Sequence, residues 1–263
     1  SRGLGDVYKR QLFAVSGIAT VLILPKEPSS AEQPNQLFDR SQVLDQLRPP
    51  AHAPEFSRVF AARTCMMAGV GLTGVFLWYL VRFWVYGKAV VLTSAPLTIP
   101  AGFLIAGMAV ATLIGAALAS WAAGPISERI EEKNIPVARV VAGACLLYAA
   151  GLALAWGLGV WSTGTARENG MLLFALISGF AFGVYDSLGL ELVMDSLPDP
   201  RRAGHDLGIY ALANSAGLAL AAIIGALLVN AFEHSFGYYL LFPSAIVMVL
   251  LAGIVTLTTK SAE

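Results

Sequence analysis

Apolar side chains along this chain are grouped in long blocks, which shorter polar stretches separate. An α-helix needs about 20 mostly apolar residues to cross a hydrocarbon core about 30 Å thick. Six blocks reach that length, at residues 59–83, 99–121, 137–160, 171–193, 207–230 and 238–258. The pattern therefore predicts an all-α fold, a polytopic transmembrane helix bundle with six full spans.

The chain before residue 59 has a different character. Residues 12–24 form an apolar run too short to span, and we interpret it as the end of a truncated seventh helix. Residues 25–58 are rich in proline and predict a linker outside the membrane. Within this linker, Leu37, Phe38, Leu44 and Leu47 favour either a short surface helix or a loop with scattered apolar residues. Residues 1–11, SRGLGDVYKRQ, are typical of a translated cloning or adapter sequence.

Composition and charge agree with a membrane protein. Hydrophobic residues make up 57% of the chain and charged residues only 13%, whereas soluble domains carry about 25% charged residues. The formal net charge is zero, so nothing indicates nucleic-acid binding. Lys and Arg occur mainly in alternate connections: on one side are Lys26, Arg40, Arg48, Arg58, Arg129, Lys133, Arg201, Arg202 and Lys260, and on the other are Lys88 and Arg167. The positive-inside rule then predicts a cytoplasmic-membrane protein whose linker and tail, 259–263, are cytoplasmic.

The predicted connection between the second and third spans carries the clearest motif, Gly124-Pro125-Ile126-Ser127-Glu128-Arg129, followed by Lys133. It resembles the signature loop of the major facilitator superfamily, which lies between the second and third helices of each six-helix half. Glu128 stands where Asp is usual in that family, and Glu131 and Glu132 dilute the basic run. Taken alone, the motif is also compatible with an ordinary positively charged cytoplasmic loop.

A second resemblance covers residues 183–214, through Val-Met-Asp-Ser-Leu-Pro-Asp at 193–199, Ala-Gly-His-Asp-Leu-Gly-Ile at 203–209, and Ala213-Asn214. It is similar to a bacterial branch of the superfamily in which helix ten ends in Leu-Pro-Asp and helix eleven opens with Asp-Leu-Gly. Prolines at 198 and 200 would stop a helix, and Asp206 is predicted to cap the next one. That branch often has an acidic residue near the position of Gly189, whereas this chain has Asp186 about one turn earlier.

The resemblance implies the C-terminal half of a twelve-helix fold, helices seven to twelve, with the N-terminal half missing. It implies a secondary active transporter that moves a small solute by alternating access, with H⁺ as the coupling ion, no cofactor and no enzymatic activity. The six-helix chain alone should not transport. Two alternatives remain: a cation-coupled sugar symporter of the glycoside-pentoside-hexuronide type, and a polytopic membrane protein that does not transport.

Three residues are candidates for a substrate or ion cavity. Asp186 is the acidic residue well inside a predicted span, where an unpaired charge is costly, so it must face a cavity, find a partner or be protonated. Tyr210 and Asn214, four residues apart, can share one face of their helix. An acid held by hydrogen bonds within the bundle, and an interhelical hydrogen bond of Asn214, are the structural alternatives. Tyr185 adjoins Asp186 but is predicted to point to another face and to serve packing.

Candidates for a cytoplasmic gate lie at the predicted cytoplasmic ends of the spans: Gly124, Glu128, Arg129, Glu191 and Arg202. Glu191 and Asp195 share a helical face and are expected to pair with Arg201 or Arg202. Arg63 and Arg82 lie near opposite ends of the first span, and both are expected to snorkel to the interface without a special role. The three His residues lie far apart in predicted loops, so the sequence predicts no zinc site.

Overall fold

The computed structural model describes residues 54–86, 99–161, 164–197, 203–231 and 234–259. The predicted artefact, truncated helix and linker before residue 54 lie outside the described residues, and so do Arg201 and Arg202. The described chain forms the following helices: α1 Pro54–Gly74, α2 Leu77–Tyr79, a π-helical segment Leu80–Val85, α3 Ile99–Glu132, α4 Val137–Trp161, α5 Thr165–Asp195, α6 Ala203–Ala231 and α7 His234–Leu257.

Six helical segments are long and apolar enough to cross a membrane. The first runs over Pro54–Val85 and joins α1, a turn at Val75 and Phe76, α2 and the π-helical segment. The other five correspond to α3 to α7. The prediction of an all-helical bundle with six spans is therefore confirmed.

Two predicted boundaries were wrong. Helix α1 begins at Pro54, five residues before the predicted span, because a proline fits the first turn of a helix, where its missing N–H would have no partner. Helix α3 continues through Gly124 and Pro125 to Glu132, so most of the predicted connection with the family motif is helical. A tight turn follows it, with Asn134 in the left-handed region at φ 49°.

The predicted cap of the fifth span was also wrong. Helix α6 begins at Ala203, so Asp206 lies in its first turn and not at the position before it. Its side chain is buried. A carboxylate in the first turn still gains from the positive end of the helix dipole, which explains why an acidic residue suits this position.

The long helices form two sets of three in chain order, α1, α3 and α4 and then α5, α6 and α7, and the contacts between the sets are similar. Helix α1 packs against α6 and α7, and α5 packs in the same way against α3 and α4. The third helices of the two sets, α4 and α7, pack against each other, whereas α1 and α5 approach at only a few points. Exchanging the set α1, α3, α4 with the set α5, α6, α7 preserves these contacts, as expected for an internal structural repeat, although α6 also packs against α7 and α3 makes no comparable contact with α4.

Small residues permit the close contacts of α1 with α6 and of α5 with α3. A Cβ added at Gly71 would lie 2.6 Å from the Cβ of Ala221, and one added at Gly183 would lie 2.6 Å from the Cβ of Ala119. Helix backbones in membranes associate through such small-residue surfaces. Both interfaces therefore place the first helix of one set directly against the second helix of the other.

The two ends of the bundle differ in chemistry. Arg58 donates to the carbonyl of Thr258 at 3.0 Å, which joins the start of α1 to the residue that follows α7. We call this the basic end, since Arg58, Arg129, Lys133 and Arg139 lie there. At the opposite end, the rings of Tyr79 and Tyr238 stack with centroids 6.3 Å apart. We call it the aromatic end, and it also contains Trp78, Phe83, Trp84, Trp161 and Tyr239.

Candidate functional site

A buried arginine joins three helices in the interior of the bundle. Arg63 of α1 has a relative exposure of 8%. Its Nη1 lies 2.7 Å from Oδ1 of Asp186 on α5, and its Nε donates to Oδ1 of Asn214 on α6 at 2.7 Å. The Arg63–Asp186 ion pair therefore bridges α1 and α5, which otherwise contact each other very little.

Three aromatic rings surround the same guanidinium. The Cζ atom of Arg63 lies 5.6 Å from the ring centroid of Phe182, 5.6 Å from that of Tyr185 and 5.7 Å from that of Tyr210. Aromatic faces attract a cation within about 6 Å. The rings thus stabilise the charge of Arg63 in addition to its bonds with Asp186 and Asn214, and we call these six residues the Arg63 cluster.

The cluster lies well inside the helices. Arg63 comes nine residues after the first residue of α1, and Asp186 comes nine residues before the last residue of α5. At 1.5 Å per residue, both lie about 14 Å along their helices from the basic end, between that end and the middle of spans that are 32 and 31 residues long. A single charge at this depth is costly, and the opposite charges of Arg63 and Asp186 reduce that cost by pairing.

The two members of the pair differ in their access to the surroundings. The side chain of Arg63 is 10% exposed and that of Asp186 is 54% exposed. A Cβ added at Gly189, one turn further along α5, would meet no atom within 4 Å. Asp186 is therefore open to a proton or to a hydrogen-bond donor of a ligand, whereas most of Arg63 is covered by protein.

The structure brings the three predicted cavity residues together. Asp186, Tyr210 and Asn214 all contact Arg63, although they lie on two helices. The expectation that Asp186 needs a partner or a cavity fits this arrangement. Tyr185, predicted to serve packing on another face, is indeed buried, but its ring also contacts Arg63.

Arg63 is the residue that sequence reasoning missed. The expectation that it snorkels to the interface was wrong, because α1 begins at Pro54 and Arg63 therefore lies more than two turns inside the helix. Its acidic partner, Asp186, lies 123 positions later in the chain. The usable signal was charge: Arg63 and Asp186 are opposite charges within apolar spans, and such residues tend to pair with each other.

None of the predicted gate residues belongs to the Arg63 cluster. Gly124, Glu128 and Arg129 are exposed on the last part of α3. Glu191 is exposed on α5, as is Asp195 at its end, and the predicted partners Arg201 and Arg202 lie outside the described residues. The contacts of Arg63 described above involve none of these side chains. Their gate role stays a prediction.

The aromatic end holds the irregular part of the first span. Arg82 lies over the ring of Trp78, with Cζ 5.0 Å from its centroid, and Arg167 of α5 donates to the carbonyl of Trp84 at 3.0 Å. Burial, together with a hydrogen bond to Glu168, raises the pKa of Tyr86 to about 12. These contacts therefore join the end of the first span to the start of α5 at the aromatic end.

Other kinds of site have no support in the described part of the chain. No three His, Cys, Asp or Glu side chains there are placed to hold a metal ion. Cys65 and Cys145 are both free thiols. Among the described residues, the Arg63 cluster is thus the candidate functional site inside the bundle.

Comparison with known proteins points to one family. No curated protein and no solved structure matches the chain. A family model, described as Major Facilitator Superfamily, matches residues 105–263, which is more than half of the 263 residues. The match begins within α3, so α1 and Arg63 lie before it. With six spans, an internal repeat of three helices and this match, the chain belongs to the major facilitator superfamily of membrane transporters.

Proposed function

We propose that this multi-pass membrane protein is a proton-coupled secondary active transporter, which moves a small solute across the cytoplasmic membrane by alternating access. The observation that carries the proposal is the Arg63–Asp186 ion pair, 2.7 Å long, which bridges α1 and α5 deep in the bundle. Intramembrane ionisable residues that pair with each other typically mark ion or substrate pathways. Asp186 is the proposed proton site.

The geometry gives protonation a structural consequence. Helices α1 and α5 have few other contacts, so the ion pair is a principal link between α1 and α5 away from the aromatic end. A proton on the half-exposed carboxylate of Asp186 removes its charge and weakens that link. Proton binding would then favour a different arrangement of α1 and α5, which is the differential interaction that any coupled conformational change requires.

We further propose that the six spans work as helices seven to twelve beside a second six-helix half, with the basic end in the cytoplasm. Helices α3 and α6 support this, since large apolar side chains remain exposed on both, including Phe103, Leu113 and Trp121 on α3 and Ile223 and Leu227 on α6. Gly124, Glu128, Arg129, Glu191 and Arg202 are the proposed cytoplasmic gate residues. Such faces can contact either lipid or a second bundle, and the proposal assigns part of them to the second bundle.

The test uses proteoliposomes that contain the complete transporter, including the proposed N-terminal half. A panel of solutes is added outside, and proton entry is followed with an internal pH-sensitive dye. We expect at least one solute to drive proton entry. Asp186→Asn should abolish this proton entry, whereas Arg82→Gln, a change to the other arginine of the same span, should leave it intact.

Two outcomes would contradict the proposal. One is a full panel without any solute-driven proton movement. The other is Asp186→Asn protein that transports with the same rate and the same pH dependence as the unaltered protein. The proposed second half has its own test: residues 12–263 alone, reconstituted in liposomes, should show no substrate-specific uptake, and uptake by this chain would show that the six spans are sufficient.

A further inference from the structure

The Arg63 cluster is electrically balanced in the arrangement that the structure shows. The charged and titratable groups that face Asp186 are Arg63 from α1 and Tyr210 from α6, with Tyr185 beside it on α5. Cys145 of α4 faces Tyr185. The guanidinium and the carboxylate therefore sum to zero charge, and at this depth any bound species that changes the sum is costly.

This balance limits which solute can bind together with a proton. If Asp186 takes up a proton, the buried guanidinium of Arg63 loses its counter-charge. A neutral solute would leave that positive charge uncompensated, and a cationic solute would add a second one. A singly charged anion alone restores the neutrality of the cluster, so the anion and the proton stabilise each other when they bind together.

The chemistry of Arg63 suits an anionic group. A guanidinium is planar and offers five N–H donors in a fork that matches the oxygens of a carboxylate or a similar anion. Asn214 holds Nε, which fixes the plane of the fork, and Nη1 is the atom now bonded to Asp186. Phe182 and Tyr210, both partly exposed, offer ring surface beside this position to the apolar part of an organic ion.

We infer that the Arg63 cluster binds a monovalent organic anion in exchange for the Asp186 carboxylate, with one proton taken up per anion. This inference rests on the proposed transport function and names its substrate class. A proton passes from water to Asp186, the ion pair opens, and the anion takes the place of the carboxylate at Nη1 of Arg63. Protonated Asp186 then has an O–H that can donate to the bound anion. On release the anion leaves, the proton returns to water, and the ion pair forms again.

The experiment measures equilibrium binding to the complete transporter in lipid nanodiscs by saturation-transfer difference NMR. Benzenesulfonate is the probe, because it remains an anion at all relevant pH values and its binding therefore reports only protonation of the protein. Benzenesulfonamide and benzyltrimethylammonium carry a similar ring without charge and with a positive charge. Both serve as matched comparisons that separate charge from ring stacking.

For the unaltered protein, we expect benzenesulfonate to bind more tightly than the other two probes. Its affinity should rise by up to about tenfold for each pH unit of acidification, the limit when one proton binds with each anion. Asp186→Asn should bind benzenesulfonate tightly with no pH dependence, because the amide mimics the protonated acid. Arg63→Gln should weaken binding at least about tenfold at every pH, since the charged partner is lost, whereas Arg82→Gln should behave as the unaltered protein.

Three results would overturn the inference: tighter binding of either comparison probe, affinity for benzenesulfonate that does not change with pH in the unaltered protein, or weaker binding by Asp186→Asn that elutes as a folded species. The pH series needs no substitution, so it decides the matter even if a variant fails to fold. Solute-driven proton entry in the proteoliposome assay would leave the transport proposal intact when the anion inference fails. Absence of proton entry with every solute would instead remove both.

Discussion

The two arginines of the first membrane span lie in contrasting surroundings. Arg63 is buried, bonded to a carboxylate and an amide from two other helices, and surrounded by three rings. Arg82, in the π-helical segment, is half-buried and lies over Trp78 and Phe83 of its own span. A charge near the interface can be stabilised by local contacts, whereas a charge buried among the helices needs partners from other helices. The same residue type therefore stabilises the helix end in one place and joins helices in the other.

Loss of the carboxylate should have the largest effect on stability. Asp186→Ala leaves the buried guanidinium of Arg63 without a counter-charge, and we expect the free energy of unfolding to fall by about 3 kcal/mol or more. Arg63→Ala leaves a carboxylate that is already half exposed, so the expected loss is smaller, about 1 to 3 kcal/mol. Unfolding in mixed detergent micelles with increasing SDS, followed by far-UV circular dichroism, measures both.

The double variant Arg63→Ala with Asp186→Ala provides the control for this pair. It removes both charges, so its loss of stability should be clearly less than the sum of the two single losses. Simple additivity would mean that the two side chains do not interact in solution. A larger loss for Arg63→Ala than for Asp186→Ala would contradict the unequal burial on which the order rests.

An intermediate effect is expected at the aromatic end, where packing takes the place of charge. A Cβ added at Gly159 of α4 would overlap the indole of Trp84, so Gly159→Ala should cost about 1 to 3 kcal/mol through overpacking. Gly157→Ala is the matched control, since its Cβ would meet only Trp161, at 3.7 and 3.9 Å. Because Ala favours helix over Gly, this control should be neutral or slightly stabilising. Equal midpoints of thermal unfolding for the two variants would show that Trp84 is not held against α4.

Arg82→Ala should have a small effect. Its contacts include two rings of its own span at a partly exposed site, and such cation–π contacts contribute about 0.5 to 1 kcal/mol. The variant should unfold within about 1 kcal/mol of the unaltered protein in the same SDS titration. A loss as large as that of Asp186→Ala would end the contrast between the two arginines.

The smallest effect is expected for Trp84→Phe. The indole Nε1 of Trp84 is buried without a hydrogen-bond partner among the described residues. Phe keeps most of the contact with Phe242, whose ring centroid lies 4.7 Å away, and removes the unsatisfied donor. Because the lost area and the removed donor have opposite effects, stability should change by less than about 1 kcal/mol. A loss near that of a large cavity, measured by the same thermal unfolding, would indicate that Nε1 has a partner in the membrane.

The sequence was sufficient for the fold but not for the centre of the site. Apolar blocks predicted the six spans because each must match the thickness of a bilayer, a constraint that acts on every helix separately. The predicted end of the second helix was wrong at Gly124 and Pro125, because a polar helix that extends beyond the membrane has the composition of a loop. Asp186, Tyr210 and Asn214 were found as polar residues within apolar spans. Arg63 was not, because its importance arises from a helix start placed five residues earlier and from a partner on another helix.

The extension of α3 has a mechanical consequence. Pro125 lies inside this helix and has no N–H to donate to the preceding turn, so one helical hydrogen bond is missing at this position, seven residues before the helix ends at Glu132. The helical segment from Pro125 to Glu132 is about 12 Å long at 1.5 Å per residue. Because proline is a common site of helix kinks, a bend of about 20° at Pro125 would displace the end of the helix at Glu132 by about 4 Å. Glu128 and Arg129 lie within the segment after Pro125. They would move with it, while the membrane-spanning part of α3 stays packed against α5.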